Sequence, residues 1–191
     1  MRKAVIERKT SETDIRLSLD LDGGSISVET GIGFFDHMLK SFACHAGFGL
    51  QLKCAGDLDV DGHHTVEDVG ISLGLAFCEA IGEKRGIRRF ASCYVPMDES
   101  LCLAATDISG RPFLEYRVTQ PQVMIGDYDS CLSEEFFRAF AMNARVTLHI
   151  RLEYGWNSHH ITEAAFKAAA RALGKASEIT GVKIPSTKGS L

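Results

Sequence analysis

The chain contains no apolar run near the ~20 residues needed to cross a bilayer. That excludes a membrane-spanning helix. The opening residues, Met1-Arg2-Lys3-Ala4-Val5-Ile6-Glu7-Arg8-Lys9, hold no apolar stretch of signal-peptide length. There is no lysine or arginine run and the net charge is only -4, so nucleic acid is not an expected partner. Cys-x-x-Cys is absent, and most of the six cysteines lie in apolar runs, which reads as reduced core thiols of a cytoplasmic protein. Apolar residues make up 45% and charged residues 24% of 191 residues, the composition of a folded chain with a core.

Periodicity divides the chain into alternating strands and helices. Residues 2–8 and 13–21 read as strands, Asp22-Gly23-Gly24 as a turn, and Ile26 and Val28 as a return strand. A helix is expected from Phe35 to Cys44, a strand through Leu50, Leu52 and Cys54, and a helix from near His64 to Ile81. The order then repeats. Tyr94 to Met97, Leu101 to Asp107 and Phe113 to Val118 read as strands, and Ser133 to Ala144 as a helix with a serine N-cap. Val146, Leu148 and Ile150 alternate, a helix covers Thr162 to Glu178, and the tail from Pro185 is irregular. No linker separates the halves. The expectation is one α/β domain over residues 1–191, an α+β sandwich of two strand-strand-helix-strand-helix repeats, about 1–90 and 91–191.

What the chain does have is His-His-x-x-Glu twice: His63-His64-Thr65-Val66-Glu67 and, 96 positions on, His159-His160-Ile161-Thr162-Glu163. Four of its seven histidines lie in these two motifs. Histidine with carboxylate is a common donor set for divalent metals. On a helix, positions i and i+4 share a face, whereas i and i+1 point about 100° apart. His63 with Glu67, and His159 with Glu163, can therefore each grip one ion, while His64 and His160 aim elsewhere. Aligning the halves makes His37 and Glu135 counterparts on the preceding helices and further candidate ligands. Donors of this type without thiolate suit Mn²⁺, Fe²⁺ or Zn²⁺. His149 alternates away from Leu148 and Ile150 and reads as exposed.

At these residues the chain resembles the imidazoleglycerol-phosphate dehydratase family. The resemblance is carried by Phe34-Phe35-Asp36-His37-Met38-Leu39, Asp61-Gly62-His63-His64-Thr65-Val66-Glu67-Asp68 and Asp107-Ile108-Ser109-Gly110-Arg111-Pro112. Ser158-His159-His160-Ile161-Thr162-Glu163-Ala164 and Pro185-Ser186-Thr187-Lys188-Gly189 complete it. It implies dehydration of imidazole glycerol phosphate to imidazole acetol phosphate in histidine biosynthesis, through a metal-bound imidazolate. It also implies a fold similar to the ribosomal protein S5 domain 2-like class, two Mn²⁺ per site at subunit contacts, and trimers assembled into a 24-subunit homo-oligomer.

Carried over by motif, the resemblance implies one ion on His37, His64, His159 and Glu163, and another on His63, Glu67, His160 and Glu135. It places Glu12 beside the substrate for proton transfer, with Asp98 and Glu99 as weaker candidates. Arg89, Arg111, Ser186, Thr187 and Lys188 are placed at the phosphate, and Lys167, one turn beyond Glu163, is a further candidate for binding the substrate. Position 135 is His in some members of the family and Glu here, and Gly62 stands where a second Asp is common. The alternatives from the residues alone are a metal-assembled structural or storage shell and a dinuclear hydrolase.

Overall fold

A computed structural model describes residues 2–189; Met1, Ser190 and Leu191, the last two belonging to the irregular tail, lie outside the described residues. The first half contains β1 (Lys3–Lys9), β2 (Thr13–Asp20), β3 (Ile26–Glu29), α1 (Gly33–Ala46), β4 (Gly49–Gly56) and α2 (His63–Ile81). The second contains β5 (Phe90–Met97), β6 (Ser100–Asp107), β7 (Phe113–Arg117), α3 (Leu132–Ala144), β10 (Thr147–Tyr154) and α4 (Ser158–Ser177), with a small ribbon, β8 (Met124–Ile125) and β9 (Tyr128–Asp129), before α3. The sheets run β1-β2-β4-β3 and β5-β6-β10-β7, the same order twice.

Each strand alternates because one face is dry. Ile15, Leu17 and Leu19 of β2 are 1% exposed, and their partners Cys54, Leu52 and Leu50 on β4 are buried beside them. The helices cover these inner faces. α2 lies on β1 and β2 and packs against α3, while α4 lies on β5 and β6 and packs against α1. The result is sheet, helices, sheet, with an aromatic seam of Phe35, Phe42, Phe77, Phe136, Phe140 and Phe166 at its centre.

Several expectations are corrected. β3 is not the hairpin return of β2: it pairs parallel to β4, Val28 opposite Leu52. The reason is that β2 already carries β1 on one edge and β4 on the other, so the chain crosses to the far edge of β4. α4 begins at Ser158, four residues before Thr162, because the Asn157 side chain accepts from the His159 and His160 N–H groups. Ser133 is no cap: the α3 N-cap is Cys131, and the buried Ser133 hydroxyl lies 3.0 Å from Tyr128 Oη. Only Cys54 and Cys102 are core thiols, whereas Cys44 and Cys131 are exposed, and all six cysteines are free.

Glycine sets how closely the helices approach. A Cβ at Gly70 would lie 2.8 Å from the Phe136 carbonyl oxygen, and one at Gly74 would lie 2.6 Å from that of Phe140. A Cβ at Gly174 of α4 would lie 2.3 Å from the Ala46 carbonyl oxygen at the end of α1. These contacts also fix direction. Gly62, just before α2, borders Leu132 at the start of α3 and Ile32 just before α1, and the Phe34 ring packs 4.9 Å from that of His159. The four helices therefore begin at one end of the molecule. Replacing Gly74 by alanine forces backbone apart and is expected to cost about 1–3 kcal/mol, read as a fall of several degrees in melting temperature. An unchanged melting temperature contradicts the packing described.

Candidate active site

The shared end of the helices gathers most of the chain's histidines and three carboxylates into first and second helical turns. His37 lies on α1, His63, His64 and Glu67 on α2, Glu135 on α3, and His159, His160 and Glu163 on α4. The N-terminal ends of helices stabilise negative charge, which suits carboxylates there.

Glu163 is the centre of one cluster. Its Oε2 is 3.2 Å from His159 Nε2 and 3.8 Å from His37 Nε2, and its Oε1 is 2.6 Å from Lys167 Nζ. Burial favours the neutral acid, yet the Lys167 ammonium, with His37 and His159, outweighs it and holds the carboxyl below its ordinary range. His37 thus joins residues of the other half rather than its own. The second cluster is His63 and Glu67, Nε2 to Oε2 3.8 Å, both about half exposed. Glu135, expected beside them, stands in the first turn of the neighbouring α3, where its recorded ion-pair partner is Arg138, 3.7 Å away.

The other histidine of each pair turns away. The His63 and His64 rings are 6.3 Å apart and nearly perpendicular, and those of His159 and His160 are 5.9 Å apart. His64 Nδ1 lies 3.0 Å from Asp57 Oδ2, and its Nε2 lies 3.7 Å from Glu12 Oε1. His160 Nδ1 lies 2.7 Å from Glu99 Oε2, and its Nε2 lies 3.5 Å from Asp98 Oδ2. The His160 hydrogen bond, with further bonds from the Asn157 N–H and the Ser100 hydroxyl, brings the Glu99 carboxyl down to about 2 against the opposing effect of burial. Among the described residues, no group of three or more His, Cys, Asp or Glu side chains of this one chain is arranged to hold a metal ion. Each histidine pair gives one ring to the glutamate of its own motif and turns the other to a separate pair of carboxylates.

A third group lies elsewhere. Arg89 binds Asp107 through Nε at 2.7 Å and the Pro185 carbonyl through Nη1 at 2.7 Å. Arg111 Nη2 reaches the same Asp107 at 3.4 Å and remains 68% exposed. The tail folds back here, with the Lys188 N–H donating to Ser186 Oγ at 3.2 Å. Asp107 thus joins Arg89 and Arg111, and Arg89 ties them to Pro185 at the start of the segment that carries Ser186, Thr187 and Lys188. Lys167 does not join them: it is committed to Glu163, with Met97 Sδ 3.7 Å away. The Arg89 N–H donates to the Ala176 carbonyl at the far end of α4. The sixteen-residue rise from His160 to Ala176 puts this group on the order of 25 Å from the α4 N-terminus.

Reading the sequence missed Asp57 and Asp107. Asp57 just follows β4, outside any helical spacing, and the only signal was an acid seven positions before His64. Asp107 lay inside a motif, four positions before Arg111. Gly62 has a visible consequence: α2 has no side-chain cap at that position, and Asp61 Oδ1 instead accepts from the His63 N–H at 2.7 Å.

A family model for imidazoleglycerol-phosphate dehydratase matches residues 30–173. Imidazoleglycerol-phosphate dehydratase of Gluconobacter oxydans (strain 621H) is 57% identical over 194 residues, spanning 100% of this chain and 98% of that relative. The enzyme of the same name from Jannaschia sp. (strain CCS1) is 54% identical over 195 residues, spanning 100% of both. The crystal structure of imidazoleglycerol-phosphate dehydratase from Staphylococcus aureus subsp. aureus N315 superposes with a TM-score of 0.85 at 39% identity, covering 94% of this chain and 99% of the other. The Pyrococcus furiosus structure, in complex with (S)-C348, gives 0.85 at 36% identity over 97% and 100%.

The Arg89 contact to Pro185 makes a direct prediction. Arg89→Ala releases the tail, and trypsin is expected to cut at Lys183 and Lys188 several-fold faster than in the parent chain. Equal cutting rates contradict the tether.

Proposed function

The chain belongs to the imidazoleglycerol-phosphate dehydratase family and removes water from imidazole glycerol phosphate in histidine biosynthesis, and we propose that it does so as a metal-dependent enzyme whose site is completed only between subunits. The observation that carries this reading is the division of each histidine pair: one ring meets the glutamate of its own motif, the other turns to a separate pair of carboxylates, and among the described residues no single chain gathers three ligands.

The donors fit a divalent ion. Imidazole nitrogens and carboxylate oxygens without thiolate suit Mn²⁺. One ion would be held by His37, His159 and Glu163 with His64 of a neighbouring subunit. The other would be held by His63, Glu67 and Glu135 with His160 of a neighbour. When bound, such ions supply Lewis-acid polarisation and a template for the substrate's ring. The chain's own groups do the rest. Glu12, on the Nε2 side of His64, accepts or returns the carbon-bound proton whose loss accompanies that of the hydroxyl. Lys167 keeps Glu163 ionised and in place. Arg89, Arg111 and the Ser186-Thr187-Lys188 segment hold the phosphate and so orient the reacting carbons.

Distance supports the same conclusion. The substrate is an imidazole, a glycerol chain and a phosphate, far shorter than the roughly 25 Å between this chain's phosphate group and the start of its own α4. The phosphate grip therefore comes from another subunit than the Glu163 cluster. Interlocking of this kind favours a closed homo-oligomer, trimers built into a 24-subunit shell. Among the described residues no helix is long and apolar enough to cross a membrane, and we place the enzyme in the cytoplasm. A metal-assembled shell without chemistry would leave the Arg89–Arg111 group without a purpose.

Three outcomes are expected. Glu12→Gln lowers turnover by about 10²–10⁴-fold with substrate binding retained; unchanged turnover removes Glu12 from the mechanism. Chelation lowers both particle size and turnover, and a full-size, fully active apo particle contradicts the metal reading. Arg89→Ala and Glu163→Gln chains, each inactive alone, regain activity when co-assembled, because some mixed sites are free of both changes. Mixed particles no more active than their parents contradict a shared site.

A further inference from the structure

We propose that Asp57 and Glu99 are positioning residues, which hold the proton of His64 and His160 on Nδ1 and so present each Nε2 as the metal-binding nitrogen to a neighbouring subunit. The proposal rests on the shared-ion reading above and adds what orients the outward half of each site.

Three observations carry it. First, both outward histidines have a carboxylate at Nδ1: Glu99 Oε2 at 2.7 Å from His160, and Asp57 Oδ2 and Oδ1 at 3.0 and 3.2 Å from His64. An ionised carboxylate only accepts, so Nδ1 donates and Nε2 keeps the free lone pair. Second, the inward histidines lack this arrangement. Among the described residues, the acidic partners of His37, His63 and His159 are Glu163 and Glu67, each met through Nε2. His64 and His160 also have an acid on the Nε2 side, Glu12 at 3.7 Å and Asp98 at 3.5 Å, but of these five rings they alone are held from behind as well, at Nδ1.

Third, the two carboxylates are not copies of each other. Glu99 sits at the tip of the β5–β6 hairpin, whose last pair is Met97 with Ser100. Asp57 just follows β4. The residue 96 positions after Asp57 is Glu153, which pairs with Arg151 instead. The tip of the first hairpin supplies Glu12, which faces the Nε2 side of His64 and not Nδ1. Had the contact been a by-product of the duplicated fold, one position would supply it in both halves. Two unrelated positions supply it, as a requirement on the histidine predicts. Glu99 is fixed in turn by the Ser100 hydroxyl at 2.9 Å and the Asn157 N–H at 3.0 Å, and Asn157 caps the helix that carries His160. Asp57 has no comparable tie to α2, so it separates orientation of the ring from support of the loop.

The test is Mn²⁺ binding to the full metal-stripped chain, counted by electron paramagnetic resonance and competed with a chelator, with reassembly followed as the ion is added, beside the melting temperature of the metal-free form. Wild type is expected to take up two Mn²⁺ per chain. Asp57→Ala and Glu99→Ala each lose about 10–100-fold in affinity for one of them, with the metal-free melting temperature of Asp57→Ala unchanged. Asp57→Asn, which can still accept from Nδ1, recovers most of the loss. Should Glu99→Ala fail to assemble, the Asp57 pair decides alone. Two tightly bound Mn²⁺ in wild type and in Asp57→Ala overturns the positioning role by itself. A wild type that binds no Mn²⁺ overturns the shared-ion reading, and the positioning role with it.

Discussion

Everything distinctive about this molecule depends on helix pairs packed side by side with their N-termini at one end. Glycines at the α2–α3 and α1–α4 contacts remove the side chains that would hold the backbones apart. His37, the two histidine pairs, Glu67, Glu135 and Glu163 then share one edge of the molecule. The same geometry sends the two histidines of each motif to different carboxylates, because neighbours on a helix diverge by about 100°. His63 serves its own chain's Glu67 and His64 cannot; His159 serves Glu163 and His160 cannot.

The length of α4 adds a second division of labour. Its start carries Glu163 and its end meets Arg89, so charge neutralisation for a phosphate and the carboxylate–histidine clusters are separated by a rigid rod. In the proposed function, a small phosphorylated substrate meets both across a subunit boundary. Asp107 holds the two arginines together, and Arg89 in turn anchors the tail at Pro185. Asp107 and the tail are therefore coupled through Arg89.

Much of this was legible in the sequence because it is periodic. Alternation at Ile15, Leu17 and Leu19 and at Leu148 and Ile150 marks strands with one dry face, and Val66, Val69, Leu73 and Phe77 mark the buried stripe of α2. The histidine–glutamate spacing gives the direction of each ring. What lacked a period was not legible. The pairing of β3 with β4 depends on which strand edge is vacant, not on residues 26–29 themselves. Asp57 reaches His64 across a loop, and Lys167 pairs with Glu163, choices set by burial and neighbouring charge. Glu135 was found by aligning the halves. α3 brings it to the correct end, where Arg138 is its partner within the chain.

The most direct measurement is anomalous diffraction at the manganese edge from crystals of the Mn²⁺-loaded assembly. The account predicts two peaks per chain at subunit boundaries, one bordered by His37, His159 and Glu163 with His64 of a neighbour, the other by His63 and Glu67 with His160 of a neighbour. Peaks whose protein ligands all come from one chain, or no peaks at these residues, would contradict it.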